Sequence, residues 1–170
     1  RFAGTVGEDA ALAWLEGLSR LGLGGILSDD MGLGKTIQVL ALLLLRKEQS
    51  PTYGPTTLLV CPTSLLGNWE REIAKFAPSI PVFVHHGNNR EVLPKTFAPH
   101  TLVLTTYGVV RREEDAFAAR ILGMVVVDEA QDLTEGDWTL VEALVGDRGM
   151  WVFADPRQKF WSERSMPASV

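Results

Sequence analysis

Hydrophobic positions along this chain fall into two alternating kinds of run. Short, almost uniformly apolar runs occur at Gly25–Ser28 (GILS), Thr57–Cys61 (TLLVC), Pro81–His85 (PVFVH), Thr101–Thr105 (TLVLT), Met124–Val127 and Gly149–Ala154 (GMWVFA). Between them lie stretches with helical spacing: Glu8–Leu21, Thr36–Arg46, Leu65–Phe76 and Asp137–Val145. The first carries Leu12, Leu15, Leu18 and Leu21 with Trp14 beside them, and Gly22, Gly24 and Gly25 end it. An apolar run without alternation is what a strand covered on both faces looks like, and a three-to-four spacing marks a helix. Strand, helix and strand repeat along the chain. This order predicts an α/β fold with a mostly parallel sheet and helices on both faces. Ligands gather at the C-terminal strand ends of such sheets. Here that edge would carry the loop after Ser28, Pro62–Ser64, Thr105–Tyr107, Asp128–Glu129 and Asp155.

The loop after the first strand reads SDDMGLGKT. Gly32 and Gly34 permit a tight backbone path, so that Asp29, Asp30, Met31, Gly32, Leu33, Gly34 and Lys35 can cradle a polyphosphate with backbone N–H groups. Lys35 supplies the charge for the β/γ-phosphates. The Thr36 hydroxyl helps hold Mg²⁺, and the helix it opens brings a partial positive N-terminus to the same place. Asp29 stands where the strict phosphate-loop pattern has its first glycine. A plain glycine-rich turn is the competing reading, and the strand before and helix after favour the nucleotide site. The run VVVDEAQ supplies the complement. Asp128, at the end of a hydrophobic strand, would hold Mg²⁺ opposite Thr36, and Glu129 would polarise the water that attacks the γ-phosphate. A carboxylate pair after a strand can also be a solvated turn; the upstream Gly-Lys-Thr favours the catalytic reading. ATP and Mg²⁺ are the cofactors this implies.

Length and charge narrow the classes. The 170 residues make about one domain, and no run reaches the ~18 apolar residues of a membrane span. Net charge is −5, with 12 basic and 12 acidic residues up to Val127 and 4 against 9 beyond it. A dedicated electrostatic DNA-binding module would be basic, although a local patch can still meet a phosphate backbone. The single Cys61 excludes an internal disulfide and ends an apolar strand, which suits a buried, unreactive thiol. The chain opens on Arg1 without a signal-peptide pattern. It is therefore read as an internal or processed piece, in a cytoplasmic setting (bacterial cytoplasm or nucleoid).

Other polar groups have plainer expectations. Ser50–Pro55 is a surface connection. Thr63 or Ser64 can cap the helix that follows, and small hydroxyls there can equally hold a nucleic-acid phosphate. His85–His86 has no acid or cysteine at ligand spacing, so no metal site is expected. Arg111–Asp115 (RREED) reads as a solvated helix surface, and Asp137 as an acidic cap.

Five collinear blocks together carry a resemblance: GLGGILSDDMGLGKTIQVLALLL, TLLVCPTSLLGNWEREIAKFAP, VFVHHG, LVLTTYGVVR and VVVDEAQ. Residues 12–131 resemble the first RecA-like lobe of the Swi/Snf-type ATPases of helicase superfamily 2, a P-loop NTPase fold. The resemblance implies a DNA-stimulated ATP hydrolase that translocates on duplex DNA. Asp29–Thr36 correspond to its nucleotide loop and Asp128–Gln131 to its DEAQ box, which makes Lys35, Asp128, Glu129 and Gln131 the catalytic set. Pro62, Thr63, Ser64, Thr105, Thr106 and Tyr107 match motifs that line the family's DNA track.

The sequence departs from that family in places. Arg1–Gly7 contains no glutamine where the family reads adenine with an aromatic-glutamine pair. After DEAQ the tail resembles UvrD/Rep-like superfamily 1 helicases, with Asp155, Pro156 and Gln158 in place and Gln158 implied as a γ-phosphate sensor. A joint is expected near Asp128–Asp132. Residues 1–160 are expected as one lobe, with 1–24 as a packing segment, 132–160 as an atypical tail and 161–170 as a disordered end. No second lobe is present in the sequence, and one would have to be supplied as a partner. The alternative functions are thus a lobe of a single-strand DNA helicase, or a nucleotide-binding module with little turnover.

Overall fold

The computed structural model describes residues 25–28, 35–119, 122–146 and 149–154, together with Ala13 and Gly17, which are helical and exposed. The rest of the expected N-terminal helix, the loop 29–34 and the tail from Asp155 onward lie outside the described residues.

Six parallel strands form one sheet: β1 (Gly25–Ser28), β2 (Thr56–Val60), β3 (Val82–Val84), β4 (Leu102–Thr105), β5 (Leu122–Val127) and β6 (Gly149–Ala154), in the order β1-β6-β5-β2-β4-β3. The helices are α1 (Lys35–Gln49), α2 (Thr63–Phe76), α3 (Tyr107–Arg112), α4 (Glu114–Ala118) and α5 (Glu135–Val145), with a 3₁₀ turn at Ala130–Asp132. Parallel neighbours need a crossover, and most of these crossovers carry helices.

Strand alternation sends side chains to two separate apolar layers. Leu59, Cys61, Leu102, Leu104, Met124 and Val126 join Val39, Leu40, Leu42 and Leu43 of α1 and Leu66, Trp69 and Ile73 of α2. Leu58, Val60, Val103, Val125, Val127 and Val152 face the other way, onto Val109 and Val110 of α3, Phe117 of α4, and Trp138, Val141 and Leu144 of α5. Both faces of β2, β4 and β5 are therefore buried, which accounts for runs without polar alternation. β3 closes one edge, and its Val82 and Val84 are 40% and 37% exposed.

Two glycines serve identifiable ends. A Cβ at Gly123 would lie 2.2 Å from the Pro55 ring, so glycine lets the chain entering β2 cross β5 where the register shifts beside Thr56. Gly146 ends α5 at φ 52°, a backbone region that side chains resist.

Several local expectations need correction. Neither Thr63 nor Ser64 caps α2. The cap position is Pro62, which makes no side-chain cap bond, and both hydroxyl residues sit exposed in the first turn. Asp137 is the third residue of α5 rather than its cap. Thr134 caps the helix, and the two side chains bond reciprocally in a capping box. Within RREED, Glu113 is not merely solvated: His85 Nε2 lies 2.7 Å from its Oε2 and Arg90 Nε lies 2.8 Å from its Oε1.

Candidate functional site

The C-terminal ends of β2, β4 and β5 converge because these strands are neighbours. Asp128 follows β5 directly and stays in line with the sheet, donating its N–H to Val60 O at 2.9 Å. Its carboxylate accepts the Trp69 indole N–H at Oδ2 (2.9 Å) and the Glu129 backbone N–H at Oδ1 (3.0 Å). Its carbonyl accepts the Tyr107 hydroxyl. The chain then turns sharply: Glu129 adopts φ 53°, ψ 45°, and the 3₁₀ turn begins. A non-glycine residue holds that left-handed conformation at a cost of about 1–3 kcal/mol, and such residues cluster at functional sites. Gln131 donates its side-chain amide to the Glu129 carboxylate.

The electrostatics follow from this packing. Burial raises the Asp128 carboxyl above the ordinary aspartate range, against the opposing pull of its two N–H donors and of Lys35. Burial likewise raises Glu129, helped by the neighbouring Asp128 charge and opposed by Gln131 and Lys35. Lys35, the first residue of α1, thus contributes a lesser opposing charge to both carboxylates. Thr36 is next in the same turn, and that turn contains no acidic residue. Cys61 lies beside them as an inert group, its thiol pushed up to about 12 by burial and by Asp128.

The residues present fit a magnesium nucleotide. Two hard oxygen donors, the Thr36 hydroxyl and the Asp128 carboxylate, suit Mg²⁺. The Asp128 oxygens offer about four lone-pair sites, more than its two N–H partners fill. Asp29–Gly34 and Gln158, expected to bind phosphate, lie outside the described residues.

The expected DNA-track residues divide. Thr63 and Ser64 are exposed at the start of α2 and uninvolved in capping, with Pro62 half-buried before them. At the second expected stretch the side chains are less open. Thr105 is fully buried with its hydroxyl donating to His85 O at 2.9 Å, and Thr106 is 5% exposed. Tyr107 is half-buried, with its hydroxyl on Asp128. Burial first, then the Asp128 charge, raises its phenol far above the ordinary range, so it remains a donor.

Sequence reasoning missed Trp69. It falls in the apolar stripe of α2 with Leu66 and Ile73 and reads as core, yet its N–H reaches a residue 59 positions away. The available signal was chemical: a buried indole N–H generally finds a hydrogen-bond partner.

Comparison with known proteins decides the family. The SNF2-related domain description matches residues 8–148. The chain belongs to the SNF2-related domain family. YwqA of Bacillus subtilis is 41% identical over 126 residues, 71% of this chain and 13% of that protein. The human chromatin-remodeling ATPase INO80 is 37% identical over 131 residues, 71% of this chain and 8% of that protein. A solved Sulfolobus solfataricus SWI2/SNF2 ATPase core in complex with dsDNA aligns with a TM-score of 0.72 at 30% identity, over 88% of this chain and 31% of that one. This SNF2-related domain thus spans about a tenth of these curated relatives' length. Its match continues past the joint expected near Asp128–Asp132 and takes in α5. Among the described residues, no helix is long and apolar enough to cross a membrane.

Proposed function

We propose that this SNF2-related domain is the nucleotide-binding half of a DNA-dependent ATPase that moves on duplex DNA. The observation that carries the reading is the geometry at one sheet edge: Asp128 held in line with β5 by Val60 and by the Trp69 indole, Glu129 in a left-handed turn beside it, and Gln131 bonded to Glu129. Mg²⁺, when bound, would neutralise phosphate charge and would be held by Thr36 and Asp128. Lys35 and the backbone of 29–34 bind and orient the phosphates. Glu129, raised in proton affinity and steadied by Gln131, accepts a hydrogen bond from the attacking water and aligns it. Positioning and charge stabilisation of this kind supply most of phosphoryl-transfer catalysis.

Exposed Thr63 and Ser64 support a phosphate-backbone contact at the start of α2, and the dsDNA-bound structural relative supports a duplex. The chemistry needs a second lobe, because a partner-supplied arginine is worth ~10³–10⁵ in rate. The 170-residue chain alone is therefore expected to bind Mg·ATP and to turn it over slowly. A cytoplasmic or nucleoid setting is part of the same proposal, and similarity to a Bacillus subtilis protein supports it. A second reading, a lobe of a single-strand helicase, is favoured by Asp155, Pro156 and Gln158. Stimulation by single-stranded rather than duplex DNA in the parent protein would select it.

Titration with a fluorescent ATP analogue tests the main reading. The wild-type chain should bind saturably with Mg²⁺, and Lys35→Ala should weaken binding at least tenfold. A folded wild-type chain that does not bind, or a variant that binds equally well, would sink it.

A further inference from the structure

Two hydrogen bonds from different helices meet on one residue. Trp69, two turns into α2, donates to the Asp128 carboxylate, and Tyr107, the first residue of α3, donates to the Asp128 carbonyl. Neither bond is required to continue the sheet, since the Asp128 N–H already joins Val60. Their effect falls instead on the turn after β5. The Asp128 carboxylate held by Trp69 also accepts the Glu129 N–H, and Glu129 sits in its left-handed conformation next to it. Such a conformation persists only where the surroundings over-determine it.

The other ends of these helices' contacts lead outward. Trp69 is about 9 Å along α2 from Thr63, a distance set by the helical rise. Leu66, Trp69 and Ile73 are the buried residues of this fourteen-residue helix, so a shift of its exposed start would be carried to the indole. Tyr107 follows the buried pair Thr105–Thr106, which is anchored to His85, and precedes exposed Gly108. The Asp128–Glu129 turn is thus gripped by two elements that begin at the proposed DNA-facing edge.

We propose that Trp69 and Tyr107 are positioning residues that link duplex DNA at the start of α2 to the Asp128–Glu129 turn, so that DNA and Mg·ATP each tighten binding of the other. The inference rests on the function proposed above. Linkage makes the two effects equal: the factor by which nucleotide tightens DNA is the factor by which DNA tightens nucleotide.

The test measures duplex DNA affinity of the 170-residue chain with and without a non-hydrolysable Mg·ATP analogue, and analogue affinity with and without DNA. In wild type both factors should agree and be on the order of ten. Trp69→Phe and Tyr107→Phe keep the rings and remove the donors; each should bring the factor close to one while either ligand alone still binds. A factor lost in one variant only assigns the link to that residue and overturns it for the other. An unchanged factor in both variants, or a factor of one in a wild type that binds both ligands, overturns the inference and leaves the proposed function standing. A wild type that binds neither ligand overturns both. The Trp69 indole ¹H–¹⁵N resonance of the wild-type chain gives a reading free of mutation. It should shift on adding duplex DNA without nucleotide, and a peak that stays fixed at saturating DNA counts against the link.

Discussion

Trp69 and Trp138 are buried to the same degree, 3% and 2% exposed, and occupy the two apolar layers on opposite faces of the sheet. Their polar ends differ. The Trp69 N–H is spent on Asp128, whereas the Trp138 N–H is buried with no hydrogen-bond partner among the described residues. The same contrast runs through the layers around them. On the α1/α2 side, Lys35 and Trp69 both act on the Asp128–Glu129 turn. On the α3–α5 side, charged groups tie one element to another: His85 and Arg90 to Glu113, and Arg111 to Asp137. Among the described residues, Tyr107 is the side chain by which that second layer reaches Asp128. One layer is thus arranged around the reactive edge, and the other braces the sheet that presents it.

The largest expected effect tests the bracing role. Trp138→Ala should destabilise the domain by about 3–5 kcal/mol, the range for truncating a buried tryptophan to a cavity. At roughly 2–4 °C per kcal/mol for a chain of this size, thermal unfolding should fall by about 10 °C. Nucleotide affinity of the protein that remains folded should not follow. If affinity dropped in step with stability, the division between the layers would be wrong.

A sharper version makes one substitution at both positions. Trp138→Phe loses packing but removes an indole N–H that was buried without a partner. Trp69→Phe loses similar packing and also strips a donor from a half-buried carboxylate. Leaving such a group short of a partner costs about 1–3 kcal/mol, so Trp69→Phe should be the less stable variant by roughly that margin. Denaturant midpoints of the two, measured side by side, decide it. Equal stabilities would mean that water replaces the indole on Asp128 at no cost.

The two layers were also unequally legible in the sequence. Strands β2, β4 and β5 could be read because burial on both faces leaves an unbroken apolar run; β2 and β4 fall within a residue of the expected bounds, and β5 starts earlier, at Leu122. The Asp128–Glu129 pair stood out because the upstream Gly-Lys-Thr gave a catalytic reading to a strand-end carboxylate pair that could otherwise be a solvated turn. Trp69 did not, because helical spacing says that a side chain is buried but not what its polar atom meets across the fold. The burial of Thr105 was hidden in the opposite sense. Polar residues at a C-terminal strand end look ligand-facing, yet the chain around His85 lies against Thr105 and takes its hydroxyl. Glu113 was hidden in a run of mixed charge whose other members are exposed.

That last cluster gives the smallest expected effect, and a pH-dependent one. Burial alone would raise the Glu113 carboxyl, but hydrogen bonds from His85 and Arg90, with their charges, hold it below the ordinary glutamate range. A carboxyl depressed by folding contributes stability that is fully present above its unfolded value and is lost as pH falls through the folded one. Wild-type stability should therefore decline below about pH 4.5, the ordinary value for this group. Glu113→Gln removes that contribution. It should cost on the order of 1 kcal/mol near neutrality, or about 2–4 °C in unfolding temperature, and the gap to wild type should close as pH falls through the depressed folded value. Asp137 is depressed in the same sense, with Thr134 and Arg111 outweighing its burial. Some acid sensitivity should therefore survive in the single variant and flatten further in Glu113→Gln with Asp137→Asn. Unfolding curves from about pH 7 to about pH 3 measure both. A constant gap across that range would show that Glu113 acts through packing rather than charge. Nucleotide binding at neutral pH should be indifferent to the exchange, since among the described residues the bonds of this cluster join Gly87, His85 and Arg90 to one another or to Glu113 rather than to Asp128.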